Sequence, residues 1–227
     1  MNRKLVFHED EYRNRVRAVK QRMDQQGMEL LFIIDPANMN YLTGYDGWSF
    51  YVHQGIIISL DDEYPVWFGR KQDSNGARLT TWLPDDQIVG YPDEYVQSRY
   101  THTMVFVSDL IRKRGWAART LGVEMDGYWF NARMDAVLRQ ELGKASLMDG
   151  TNLVNWVKSI KSEAEIAYIR QAARICERVM DTAIENIQPG VWEKDAAALV
   201  SAAQIRGTDE YGGDSPAIFP IMPSAER

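Results

Sequence analysis

The chain has 227 residues and a mass of 26.1 kDa, more than one average domain and less than two large ones. Its 26 Lys and Arg against 32 Asp and Glu give a net charge of −6, without the basic footprint of a nucleic-acid binder. No apolar run approaches the roughly 18 residues of a membrane span, residues 1–8 lack a signal-peptide core, and one cysteine, Cys176, permits neither a disulfide nor a CxxC metal knuckle. The expectation is a cytoplasmic protein with neither a membrane nor a nucleic-acid partner.

In chain order, Tyr12, Val16, Val19 and Met23 share one face of a helix over 9–26, stopped by Gly27. Leu30 to Ile34 follows as a strand buried on both faces, ended by Asp35-Pro36. Strands over 55–60 and 65–68, a helix through Met104, Val107, Leu110 and Ile111, a strand at 121–125, a helix through Met134, Val137 and Leu138, and a strand at 146–148 complete the first part. This alternation predicts an α/β domain around a mixed sheet.

A connecting helix over 151–160 places Leu153, Trp156, Val157 and Ile160 on one face. The pattern restarts at Ser162-Glu163-Ala164-Glu165, a capping box opening a long helix with the stripe Ile166, Ile169, Ala173, Cys176 and Met180. Gln188-Pro189-Gly190 stops it, and residues 192–205 form another helix, closed by Gly207. The tail is rich in Gly and Pro, with an extended Ala217-Ile218-Phe219. The expected domains are 1–158 and 159–227. Two helices and such a tail cannot enclose a core alone, so the second region either packs on the first or belongs to a longer protein.

The chemistry is sparse. His8, His53 and His102 are unpaired at helical spacing, and no HExxH, EF-hand loop, G-x-S-x-G elbow or phosphate loop occurs. No metal ligand is therefore assigned. Cys176, on the apolar stripe, is expected to be buried and inert. The acids Asp209, Glu210 and Asp214 form either a polar loop or paired carboxylates. The segment 38–53, read as a loop, carries Tyr41, Tyr45, Trp48, Phe50, Tyr51 and His53. So many aromatics must cover something: an internal or dimer contact, or the wall of a pocket for an organic cation.

The run Asn40-Tyr41-Leu42-Thr43-Gly44, with Lys161-Ser162-Glu163-Ala164-Glu165-Ile166 farther on, resembles the creatinase/prolidase ("pita-bread") family. The resemblance implies a creatinase-type N-terminal domain with a mixed sheet, followed by the beginning of an α+β pita-bread catalytic domain. Within the family, segments 44–51, 69–77, 90–93 and 212–218 look like the ectoine hydrolases. That likeness implies opening of the cyclic amidine ectoine to N-acetyl-diaminobutyrate, water attacking the amidine carbon with the help of a glutamate beyond residue 227. It implies a homodimer whose N-terminal domain covers the partner's active site, and Trp48, Phe50, Tyr51, His53 and Asp214 as the residues meeting a small zwitterionic substrate. Creatinase-like members need no metal, whereas the peptidases hold two divalent ions; no cofactor is assigned here. Val52 stands where creatinase has an arginine, which makes creatine a poor fit. The rival readings are a Xaa-Pro dipeptidase of the same fold and a non-catalytic dimerisation or ligand-binding module. The chain is expected to be the N-terminal part of a longer enzyme, inactive alone.

Overall fold

The computed structural model describes residues 3–143, 145–215, 218 and 220–222. The chain divides into two compact units, Met1–Ile160 and Lys161–Arg227. The first runs α1 (Glu9–Gln25), β1 (Leu30–Ile33), α2 (Pro36–Thr43), β2 (Gly55–Ser59), β3 (Val66–Arg70), α3 (Ser74–Thr80), β4 (Ile88–Tyr91), α4 (Thr103–Lys113), β5 (Leu121–Val123), α5 (Ala132–Glu141), β6 (Leu147–Asp149) and α6 (Leu153–Val157). Its six strands form one mixed sheet in the order β4-β3-β2-β1-β5-β6. Central β1 is antiparallel to β2 and parallel to β5, while β3–β4 and β5–β6 are parallel pairs.

Alternation along β1 decides the layers. Leu31 and Ile33 enter a cluster with Tyr12, Val16, Val19 and Met23 of α1, whereas Leu30 and Phe32 enter the opposite one with Met104 and Val107 of α4 and Met134 and Leu138 of α5. All four β1 residues are buried. Each such aliphatic or aromatic side chain contributes about 1.5–3 kcal/mol on burial, so β1 anchors both layers.

Two elements depart from the sequence reading. Residues 36–43 are helical: Asp35 caps α2 by accepting from Asn38 N at 2.9 Å, and Pro36 occupies the first turn. Asp-Pro, read as a strand terminator, is here a helix start, because proline's missing N–H costs nothing at that position. Between β3 and α4 lie α3 and β4, which were not anticipated. Their short lengths carry no periodicity. In α6 only Leu153 and Val154 are buried, while Trp156 and Ile160 are exposed. The helix is one turn long and ends before its expected stripe can form.

In the second unit, α7 (Glu163–Asn186) opens with the capping box, Ser162 Oγ accepting from Glu165 N and Glu165 Oε2 accepting from Ser162 N at 3.2 and 2.9 Å. It packs on α8 (Glu193–Arg206) through Ile175, Val179 and Ala183 against Val200 and Ala203. The packed face is thus the 175, 179, 183 row. Cys176 is exposed, correcting the expectation of burial, and Ile166, Ile169 and Met180 stand exposed beside it. Of the extended tail, Ala217 and Phe219 lie outside the described residues.

Candidate functional site

The carboxyl ends of the parallel neighbours β1 and β5 open at the same edge of the sheet, a place where α/β folds commonly seat ligands. Beyond β1 the chain turns into α2, and the turn is held by Glu124, which follows β5. Its Oε2 accepts from Ile34 N and Asp35 N, both at 2.9 Å, and its Oε1 accepts from Asn38 Nδ2 at 2.6 Å. Asn38 Oδ1 in turn accepts from Lys158 Nζ at 2.6 Å. Because lysine only donates, this fixes the Asn38 amide orientation. Burial raises the Glu124 carboxyl above its ordinary value, against the pull of its three donors. Sequence reading missed this residue, since nothing at Val123-Glu124-Met125 marks a carboxylate as buried.

After α2, Gly44 adopts φ +81°, and a Cβ there would lie 2.8 Å from the Thr80 carbonyl, so only glycine fits. Tyr45 then turns inward against Trp67, with ring centroids 5.2 Å apart. The following residues are left outside. Ser49 Oγ accepts from Tyr51 N and Val52 N at 3.3 and 3.1 Å, which folds the segment into a tight turn. Trp48 and Phe50 are 65% and 80% exposed, Tyr51 is half-exposed, and their rings form a chain at 6.0 and 5.4 Å.

These aromatics line one wall of a cavity of about 420 Å³, whose other walls include Ile34, Met39, Tyr128, Trp129 and Asn131. The structure therefore brings together Trp48, Phe50, Tyr51 and His53. Asp214 lies in the second unit, exposed, accepting from Ser215 N at 2.6 Å. Its companion Glu210 pairs with Arg174 at 3.3 Å, which favours the polar-loop reading of the cluster.

His53 sits between this cavity and a smaller one of about 150 Å³ that also touches His102 and Thr103. Its Nδ1 is 3.2 Å from Thr103 Oγ1. The Thr103 hydroxyl also lies 3.5 Å from the Tyr95 carbonyl. Either ring tautomer satisfies this contact, since the Thr103 hydroxyl can both donate and accept. Burial, then the charge of His102, pushes the His53 pKa down to about 4, so the ring is neutral near pH 7. Next to it, Gln54 is buried and donates from Nε2 to Asp73 Oδ2 at 2.7 Å. A carboxylate can only accept, so the Gln54 carbonyl oxygen points the other way, and it is buried without a donor among the described residues.

Among the described residues no group of three or more His, Cys, Asp or Glu is placed to hold a metal ion, so the donors present do not fit a divalent site. No described helix is long and apolar enough to cross a membrane.

Residues 15–160 match the Creatinase/Prolidase N-terminal domain, and residues 167–227 match Metallopeptidase family M24. An uncharacterized hydrolase/peptidase, y4tM, of Sinorhizobium fredii is 44% identical over 98% of this chain and 57% of its own length. The ectoine hydrolase of Halomonas elongata is 40% identical over the same shares. Among solved structures, the prolidase from Thermococcus sibiricus superposes with a TM-score of 0.73 at 17% identity, covering 92% of this chain and 53% of that one; this likeness concerns the fold alone. The chain spans 57% of the length of these two curated relatives.

Proposed function

The chain belongs to the creatinase/prolidase family, combining its N-terminal domain with the start of the pita-bread domain, and from that premise we propose that it is the N-terminal part of an ectoine-hydrolase-like enzyme. The reaction is hydrolytic opening of the cyclic amidine. Water adds to the amidine carbon, one ring C–N bond breaks, the water oxygen becomes the acetyl carbonyl, and the released nitrogen leaves as an amine. Trp48, Phe50, Tyr51 and His53 form the wall that receives the substrate. The enzyme works as a cytoplasmic homodimer in which the first unit covers the partner's active site.

One observation carries this reading: exposed aromatic faces and a neutral histidine around a cavity of about 420 Å³. Ectoine's amidinium is planar and delocalised, and such cations stack favourably on aromatic faces. The 40% identity to an ectoine hydrolase supports the same substrate.

The test compares the 227-residue chain with a version extended by the remaining segment of the Halomonas elongata relative. The extended protein opens ectoine, seen as N-acetyl-diaminobutyrate by NMR, and the unextended chain does not. Metal-dependent cleavage of proline dipeptides without ectoine turnover would instead make the protein a Xaa-Pro dipeptidase. Loss of both activities in a folded, extended protein would leave a binding or dimerisation module.

A further inference from the structure

We infer that His53 meets the ligand with a nitrogen of adjustable polarity, offering either a lone pair or an N–H, and that Thr103 is the positioning residue that permits both. This rests on the reading above, that the cavity beside Trp48 receives the substrate, and deepens it. The Tyr91 hydroxyl donates to the His53 carbonyl oxygen at 2.7 Å, and His53 Nδ1 lies 3.2 Å from Thr103 Oγ1, so backbone and ring are both held. The two nitrogens of an imidazole diverge, so Nε2 faces away from Thr103. It makes no hydrogen bond among the described residues. His53 lines the larger cavity, whereas Thr103 borders the smaller one, so a ligand in the larger cavity meets Nε2.

Two proton arrangements fit the same heavy atoms. With the proton on Nδ1, the ring donates to Thr103 Oγ1, the threonine hydroxyl turns to the Tyr95 carbonyl at 3.5 Å, and Nε2 accepts an N–H from the ligand. With the proton on Nε2, Thr103 donates to Nδ1 and the ring donates to an acceptor on the ligand. These forms are tautomers of one neutral ring, interconverted by proton exchange with water and rotation of one hydroxyl. Burial and the nearby His102 keep the ring neutral near pH 7, as both forms require. His102, with its ring centroid 5.0 Å away, lacks this freedom. Its Nδ1 accepts from Met104 N at 3.1 Å as the cap of α4, so its proton sits on Nε2. An amidine offers N–H groups, and its ring-opened product carries an amide carbonyl. A histidine able to face either one stays bonded across the reaction.

The test reads the imidazole nitrogen resonances of the isotope-labelled 227-residue chain at pH 7, where protonated and bare nitrogens are well separated. Without ligand, His53 should show both nitrogens averaged between the two forms, and His102 a proton on Nε2 alone. Ectoine, or acetamidinium as a probe with N–H groups and no carboxylate, should drive His53 to the Nδ1–H form and leave His102 unchanged. Thr103→Val removes the hydroxyl at nearly constant volume, so an Nδ1–H would lose its acceptor. His53 should then keep its proton on Nε2 with or without ligand, and ectoine should bind about threefold to tenfold more weakly. Thr103→Ser keeps a hydroxyl and should restore the switching; failure to do so would assign the loss to packing and overturn the inference. A single form of His53 in the parent chain under all conditions, or continued switching in Thr103→Val, would overturn it as well. If ectoine moves the Trp48 and Trp129 indole resonances while His53 stays unchanged, the inference fails and the cavity reading stands. If ectoine moves neither, both fail.

Discussion

Glu124 faces three donors and no acceptor, an arrangement that suits a carboxylate and not an amide. In Glu124→Gln the new NH2 must oppose either the two backbone N–H groups or the Asn38 amide. Turning Asn38 over would set its own NH2 against Lys158. One buried hydrogen bond is lost either way, so the substitution should cost about 1–3 kcal/mol in urea unfolding at pH 7. Adding Lys158→Met frees Asn38 to turn and should recover part of that loss. Strict additivity of the two changes would show that they are not coupled through Asn38.

His53 takes up its proton at lower pH than an ordinary surface histidine. Its folded pKa of about 4 lies below the ordinary 6.5, because burial disfavours the imidazolium and His102 adds to the penalty. The unfolded chain thus takes up a proton before the folded one does. The stability this provides is complete above pH 6.5 and is lost as pH falls through about 4. Urea midpoints measured between pH 7 and pH 4 should fall less steeply in His53→Asn than in the parent chain. Identical slopes would mean that His53 is not the group involved.

At the scale of elements, α2 determines the cavity's position, since it carries Met39 into the wall and delivers the chain to Gly44. Asp35→Ala removes the cap and should destabilise the protein by about 1 kcal/mol. Gly44→Ala should cost more, because the left-handed φ and the Thr80 carbonyl both oppose a Cβ. A thermal scan showing the reverse order would contradict this account of the turn. The long periodic helices α1, α4, α5 and α7 were legible from apolar spacing, and central β1 from its unbroken run. Elements of four to eight residues, α2, α3 and β4, were not, because so few residues show no period and the turn chemistry around them reads either way. In α7 the period was right and the face was wrong. The helix carries two apolar rows, and only contact with α8 selects the row of Ile175, Val179 and Ala183.

For the whole molecule, the aromatic cluster could be read from composition, but its partners could not. Tyr128, Trp129 and Asn131 reach the same cavity from a loop about 80 residues later, and only the parallel pairing of β1 with β5 explains that approach. Glu124 and the orientation of Gln54 were invisible for the same reason, since both depend on contacts far apart in sequence. The two units differ in self-sufficiency. The first encloses a cluster on each face of its sheet, whereas among the described residues the second buries only Val179, Val200 and Ala203 as an apolar cluster. Large aromatics left exposed around a concave wall usually mark a binding surface.

The most direct test of that claim is calorimetric titration of ectoine into the chain and into its Trp48→Ala variant. The account predicts binding to the parent and a loss of about 1–3 kcal/mol in the variant, the scale of removing one packed aromatic. No heat of binding to the parent, or an unchanged dissociation constant in Trp48→Ala, would contradict it.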